Sequence, residues 1–289
     1  MRGILLAGGK GTRLYPMTSI VSKQLQPIYN KPMIFYSLTT LMFAGCREIM
    51  LISSPEDLPR FESLLGDGRR WGISIVYGEQ DRPRGIADAF RVAADFVRGR
   101  SSMLMLGDNL IYGRLDFLRQ AVATHADGAT IFAYQVANPS EYGVVEFDEG
   151  YRVLSLEEKP AHPRSSWAVP GIYVYGPDAV ERAAALKPSP RGELEITDLN
   201  KSYLADGQLR AQPMGRGIAW LDTGTPESLL SASNFVHAIE SRQGLVIGAP
   251  EEAAYRIGAL DRAGLLAAVA PLPQGPYRAY LERLATDEI

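Results

Sequence analysis

A chain of 289 residues, 46% hydrophobic and 22% charged, has ample material for a sizeable core in one large domain or two modest ones. Its net charge of −3 and pI of about 5.7 exclude a general binder of nucleic acid or anionic membrane, so an anionic ligand must be gathered by a local basic site. The lone cysteine, Cys46, rules out an intrachain disulfide framework, and with only three histidines the expected metal is a hard, oxygen-bound ion such as Mg²⁺ rather than structural zinc.

The opening Met1-Arg2 and the apolar residues 3–7 suggest a signal peptide only faintly, because the stretch is short and Lys10 and Arg13 follow at once. No run approaches the ~20 apolar residues that span a bilayer. A cytoplasmic protein is the expectation. Up to about residue 135, apolar strand-like runs (4–7, 49–53, 73–77, 103–106) alternate with helical patterns (33–44, 58–65, 86–97, 115–125). Such alternation predicts a Rossmann-like α/β fold, a mixed, mostly parallel sheet flanked by helices, with ligands beyond the carboxyl ends of the strands. From about residue 129 the connections shorten. Runs 130–136, 143–147, 153–156 and 169–175 predict a mixed or antiparallel extension, followed by helices at about 177–186 and 196–205. Strands at 208–214 and 218–221 and a long amphipathic helix over 226–240 come next, and the residues from about 245 onward read as a helical appendage. One catalytic domain over 1–240 with a C-terminal helical extension over 241–289 is the simplest organisation.

The first strand runs directly into Gly8-Gly9-Lys10-Gly11-Thr12-Arg13-Leu14. Closely spaced glycines let backbone N–H groups turn onto a phosphate, and Arg13 adds a multidentate cation. No Gly-Lys-Ser/Thr ends the loop, so it is not a Walker loop, and Leu14 stands where a dinucleotide fingerprint needs its third glycine. Taken alone, the loop also fits a tight turn with surface charge. A second cation, Lys23, ten residues after Arg13, suits a triphosphate better than a single phosphate.

Leu-Ala-Gly-Gly-x-Gly-Thr-Arg-Leu, then Ser22-Lys23-Gln24-Leu25 and Lys31-Pro32-Met33-Ile34, resembles the sugar nucleotidyltransferase family, and within it the bacterial glucose-1-phosphate thymidylyltransferases. The resemblance covers nearly the whole chain, from Gly3 to about Leu284. It implies a nucleotide-binding part over about 1–135 and a sugar-phosphate part over about 136–240. It implies that Gly8, Gly9, Gly11, Thr12, Arg13, Lys23 and Gln24 wrap a nucleoside triphosphate, dTTP. A homo-oligomer, a tetramer, is implied as well.

Two aspartates each follow a strand: Asp108 in Leu106-Gly107-Asp108-Asn109, and Asp222 in Trp220-Leu221-Asp222-Thr223-Gly224. Carboxylates at that edge of a sheet can share one Mg²⁺ while substrate phosphates complete its shell, although either motif alone is also an ordinary turn. Both match the family's metal-binding aspartates. In the stretch 80–89, Gln80 can donate to and accept from a pyrimidine edge, and Gly85 frees the backbone for a second contact. These positions bind thymine in the resembling enzymes. Arg84, Ile86 and Asp88 depart from the family, which more often has an acidic residue before the glycine and Leu-Ala-Gln-Ala after it. By the same resemblance, Gly143, Glu158, Lys159 and Val169 contact glucose 1-phosphate and Arg191 reaches its phosphate. Arg13, Lys23, Lys159 and Arg191 are the cations expected to carry the chemistry. Ala259 stands where an aromatic residue is usual in a regulatory nucleotide site at a subunit interface.

Overall fold

The computed structural model describes residues 1–9 and 11–286, so that Lys10 of the glycine loop and 287–289 lie outside the described residues. In chain order the strands are β1 (Arg2–Leu6), β2 (Pro27–Ile28), β3 (Lys31–Pro32), β4 (Glu48–Ser53), β5 (Ser74–Glu79), β6 (Ser102–Leu106) and β7 (Asn109–Tyr112), then β8 (Ala129–Gln135), β9 (Gly143–Phe147), β10 (Val153–Glu158), β11 (Trp167–Ala168), β12 (Ile172–Tyr175), β13 (Leu209–Pro213) and β14 (Ala219–Asp222). The helices are α1 (Ile34–Phe43), α2 (Leu58–Leu65), α3 (Asp88–Val92), α4 (Ala94–Val97), α5 (Asp116–Thr124) and α6 (Ala179–Ala185), then α7 (Ile196–Ala205), α8 (Pro226–Gln243), α9 (Pro250–Arg256), α10 (Arg262–Val269) and α11 (Pro276–Ala285).

Ten strands form one mixed sheet in the order β10-β9-β11-β8-β12-β6-β1-β4-β5, with β13 beside β8. The strands β5, β4, β1 and β6 are parallel. Beyond them β12 is antiparallel to both β6 and β8, and β9, β10 and β11 continue the antiparallel extension. The chain leaves β1 for β4 and β5 on one side and returns to β6 on the other. This reversal of strand order opens a crevice at the carboxyl ends of β1 and β6.

β1, β4 and β6 are largely buried on both faces, which is why these segments read as apolar runs, whereas the edge strand β5 leaves Ser74 and Val76 exposed. Leu5, Ile49, Leu51, Met103 and Met105 point into a core with α1, α2, α5 and α9. Ile4, Leu6, Ile52 and Leu104 point into a second core with α3, α4, α6 and α7. Burying a side chain of this size is worth roughly 1.5–3 kcal/mol, so the two cores hold the sheet ends at fixed positions.

Three differences from the sequence-based expectation have local causes. The run 169–175 shortens to β12 (Ile172–Tyr175), because Pro170 has no N–H to donate and Gly171 turns the chain back to bond Leu106. The helix over 86–97 breaks at Ala93 into α3 and α4; nothing in the structure explains the break. The segment beyond 245 is helical but no appendage. Ala253 and Ala254 lie in the same core as Leu38, Leu41 and Trp71, and the Trp71 indole Nε1 donates to Glu251 at 3.0 Å. Among the described residues no helix is long and apolar enough to cross a membrane.

Candidate active site

The glycine loop begins where β1 ends. Ala7 N–H donates to Ile52 carbonyl at 2.7 Å and Gly107 N–H to Leu6 carbonyl at 2.8 Å. The loop and the Gly107-Asp108 turn are thereby clamped side by side. A short 3₁₀ turn, Lys23–Leu25, follows the loop and aims Lys23 inward, where its Nζ meets Asp108 Oδ2 at 2.7 Å. Asn109 Nδ2 donates to the other oxygen of Asp108 at 2.9 Å.

Asp222 arrives from the far end of the domain. β14 pairs with β7 as a separate two-stranded ribbon in which Asp222 opposes Asn109, the neighbour of Asp108. Two further bonds lock this crossing: Thr223 Oγ1 donates to Asp108 carbonyl at 2.9 Å and Trp220 Nε1 to Asn109 Oδ1 at 2.6 Å. The turn continues into Gly224, and a Cβ there would lie 3.4 Å from Arg13 Nη2. Arg13 therefore rests against the Asp222 turn.

The opposite side of the site is built by the antiparallel extension. Glu158 opposes Gly143 across β10 and β9, and the missing side chain leaves the Glu158 carboxylate accessible from above. Thr197 Oγ1, in the first turn of α7, donates to Glu158 Oε2 at 2.6 Å and fixes it. Lys159 has φ of 45°, a left-handed conformation uncommon for a residue with a Cβ. Its N–H donates to Tyr142 carbonyl at 3.0 Å. Arg191 Nη2 meets both oxygens of Glu195, at 2.9 and 3.0 Å, and this carboxylate raises the arginine pKa further above its ordinary value.

These walls enclose one cleft of about 660 Å³. Of the residues singled out in the sequence, Gly8, Gly9, Arg13, Lys23, Gln80, Gly85, Asp108, Gly143, Glu158, Lys159, Val169, Arg191 and Asp222 line it. Three do not. Thr12 lines a neighbouring groove; Gly11 carbonyl accepts from Thr18 Oγ1 at 3.0 Å; Gln24 is buried beneath the loop, its amide 3.4 Å from Gly8 carbonyl. Gly85 has a φ of +100°, and a Cβ there would meet Leu194 carbonyl at 2.4 Å. The glycine thus joins the loop after β5 to the segment carrying Arg191. Leu194 N–H donates to Arg84 carbonyl at 2.6 Å and Ala87 N–H to Leu194 carbonyl at 3.1 Å.

Several lining residues had no role assigned from sequence. Tyr142 and Trp220 pack edge to face, 5.0 Å between ring centroids, and form the wall between the halves. Burial pushes the Tyr142 hydroxyl pKa up, with Asp222 and Glu141 adding to the rise and Arg13 opposing it. Tyr173 is raised mainly by burial and further by Glu158 and Asp108, so its hydroxyl stays neutral between the two carboxylates. Asn109 and Thr197 were visible only as neighbours within motifs, since the bonds that give them a function cross the fold, and Glu195 holds Arg191 four residues before it.

The lining carries four cations (Arg13, Lys23, Lys159, Arg191) against six carboxylates (Asp108, Glu141, Glu158, Glu193, Glu195, Asp222). Such a lining is not uniformly basic, and a polyanion entering it gains from a divalent cation that offsets the carboxylates. Among the described residues no group of three or more His, Cys, Asp or Glu side chains forms a closed metal cage. Asp108, in the turn before β7, and Asp222, at the end of its partner strand β14, are two hard oxygen donors that fit an ion taking its remaining oxygens from a substrate.

The comparisons with known proteins agree with this architecture. A family model described as nucleotidyl transferase matches residues 2–239, the span from β1 nearly to the end of α8. A glucose-1-phosphate thymidylyltransferase of Xanthomonas campestris pv. campestris (strain B100) is 52% identical over 286 residues, 98% of this chain and 97% of that protein. One from Mycobacterium tuberculosis (strain CDC 1551 / Oshkosh) is 51% identical over 284 residues, with 98% and 99% covered. A solved structure from Bacillus anthracis, described as a glucose-1-phosphate thymidylyltransferase, is 37% identical with a TM-score of 0.76, covering 81% of this chain and 94% of that one. A UDP-glucose pyrophosphorylase structure at 24% identity and a TM-score of 0.73, covering 84% and 99%, shares the fold. With its whole cleft built inside the matched span, the chain belongs to the nucleotidyl transferase family.

Proposed function

We propose that the protein is a glucose-1-phosphate thymidylyltransferase: it transfers a thymidylyl group from dTTP to glucose 1-phosphate, giving dTDP-glucose and pyrophosphate. The observation that carries this reading is the division of one cleft into two cationic walls. Arg13 and Lys23 stand on one and Lys159 and Arg191 on the other, with Asp108 and Asp222 in the cleft lining as well.

The chemistry asks for neither a nucleophilic side chain nor a general base, because the sugar phosphate is already anionic at neutral pH. Its oxygen attacks the α-phosphorus in line and pyrophosphate departs. Arg13 and Lys23 offset triphosphate charge; Lys159 and Arg191 hold the sugar phosphate; Glu158, fixed by Thr197, accepts from sugar hydroxyls while Gly143 and Val169 leave it room. Gln80 and the Gly85 backbone read the base, and the loop of Gly8, Gly9, Gly11 and Thr12, braced by Gln24, cradles the phosphates. Catalysis is then positioning plus electrostatics. Asp108 and Asp222 hold Mg²⁺, which when bound neutralises charge at the reacting phosphate. Residues 1–135 form the nucleotide part, 136–240 the sugar-phosphate part and 241–289 the C-terminal extension of a cytoplasmic homotetramer.

Pyrophosphate release by the purified protein with Mg²⁺ tests the reading, with dTTP, UTP, ATP, CTP and GTP each crossed against several hexose 1-phosphates. Turnover led by dTTP with glucose 1-phosphate is expected. Turnover led by another pair would keep the mechanism and overturn the specificity; no release from folded protein would overturn both.

A further inference from the structure

Gln80 stands at the end of β5 in the cleft lining, and its amide is not free to turn. Nε2 donates to Asp88 Oδ2 at 2.9 Å in a buried contact, and Asp88 is 0% exposed. The other oxygen of Asp88 accepts from Arg91 Nε at 2.8 Å. An ionised carboxylate only accepts, so the NH₂ end of Gln80 must face Asp88 and Oε1 must face away. Ambiguity between amide oxygen and nitrogen is thereby removed by chemistry rather than by assignment. Oε1 then lies over the glycine loop, where a Cβ added at Gly8 would sit 2.9 Å from it.

We infer that Asp88, held by Arg91, is a positioning residue that presents Gln80 to the base as an acceptor and so selects a pyrimidine whose N3 carries hydrogen. Thymine and uracil have that N–H. Cytosine has an acceptor at N3, which would face Oε1 with no proton between them. The inference rests on the thymidylyltransferase reading and adds to it a residue that touches no substrate. Selection by a polar group buried this way is strong, because the mismatched base leaves both partners unpaired.

Asp88→Asn reverses the arrangement. Arg91 would continue to bond the oxygen of the new side chain, which turns its NH₂ toward Gln80. Gln80 would then rotate, giving Oε1 to Asn and Nε2 to the base. The probes are dUTP and dCTP, which differ only on the N3–C4 edge, with dTTP alongside to report the methyl group. Relative kcat/KM for dUTP over dCTP should fall by about 100-fold or more in Asp88→Asn, since exchanging a good pairing for a bad one is worth roughly tenfold on each base. The dTTP to dUTP ratio should stay put. Restoring free rotation with Asp88→Asn/Arg91→Leu should give an intermediate ratio. Thermal melting of each variant comes first; if Asp88→Asn does not fold, Asp88→Leu substitutes, and there the ratio should collapse toward unity.

A folded variant that loses rate equally on dUTP and dCTP would overturn the inference and leave Asp88 a structural residue only. Wild-type protein that neither binds nor turns over dTTP would overturn the thymidylyltransferase reading itself, and the inference with it.

Discussion

At the scale of the residue, the cleft is a set of charges held by other side chains rather than by their own backbone. Lys23 and Asn109 each take one oxygen of Asp108, so the carboxylate has a fixed orientation, and Asp222 reaches it only through the ribbon register. Replacing Asp108 or Asp222 by Asn keeps the shape and removes the charge. Turnover in saturating Mg²⁺ should fall on the order of 10²-fold or more while the protein stays folded; near-normal rates in both variants would sink the metal assignment. Lys159 permits a sharper separation, because its φ of 45° makes backbone and charge independently removable. Lys159→Ala and Lys159→Gly should raise KM for glucose 1-phosphate alike. The glycine variant should be the more stable by about 1 kcal/mol, since only alanine retains the left-handed penalty. Equal stabilities, or an effect confined to dTTP, would contradict the placement.

Elements bring those residues within reach, and the ends of elements matter most. The turn after Asp222 is finished by the start of α8, whose cap is reciprocal: Ser228 N–H donates to Thr225 Oγ1 at 3.2 Å and Thr225 N–H to Ser228 Oγ at 2.9 Å. Thr225→Ala should cost about 1 kcal/mol in chemical denaturation. Adding Ser228→Ala should cost little more, because the two bonds form one unit. Additive losses would mean that the residues cap independently. How far elements could be read from sequence varied with what defines them. Helix 58–65, helix 196–205 and strand 143–147 were legible to the residue, since apolar spacing and flanking Asp57, Glu195 and Gly143 mark their limits. β7 was missed. Only the two-residue Gly107-Asp108 turn separates it from β6, and its partner β14 lies more than 100 residues away. For the site the dividing line is similar. Gly8, Asp108 and Asp222 announce themselves by standing directly after strands. Asn109 and Thr197 acquire purpose through bonds to distant segments that no local pattern encodes, while Asp88 and Glu195 act on neighbours three to eight residues away.

For the whole molecule, the C-terminal helices are part of the same body as the sheet. Gly72, at the end of the 3₁₀ turn Arg69–Trp71, has φ of +63°, and a Cβ there would meet Ala259 carbonyl at 2.3 Å. Backbone faces backbone at this point, so no flexible side chain can move aside. Gly72→Ala should destabilise the protein by more than about 2 kcal/mol and should make residues beyond 245 the first to yield to limited proteolysis. Cleavage beginning elsewhere would show that this contact does not govern docking. Lys31 and Glu240 add a second tie, paired at 2.9 Å with Ile247 N–H also donating to Glu240 at 2.8 Å. Burial lowers the Lys31 pKa, and Glu240 opposes the fall.

The pairing of Arg84, Ala87 and Leu194 main chains bears on how the enzyme exchanges its molecules with solvent. Two loops from opposite halves, stitched at one point, cannot breathe separately. Moving residues 84–87 also moves the segment that carries Arg191, so the two sides of the cleft are mechanically coupled.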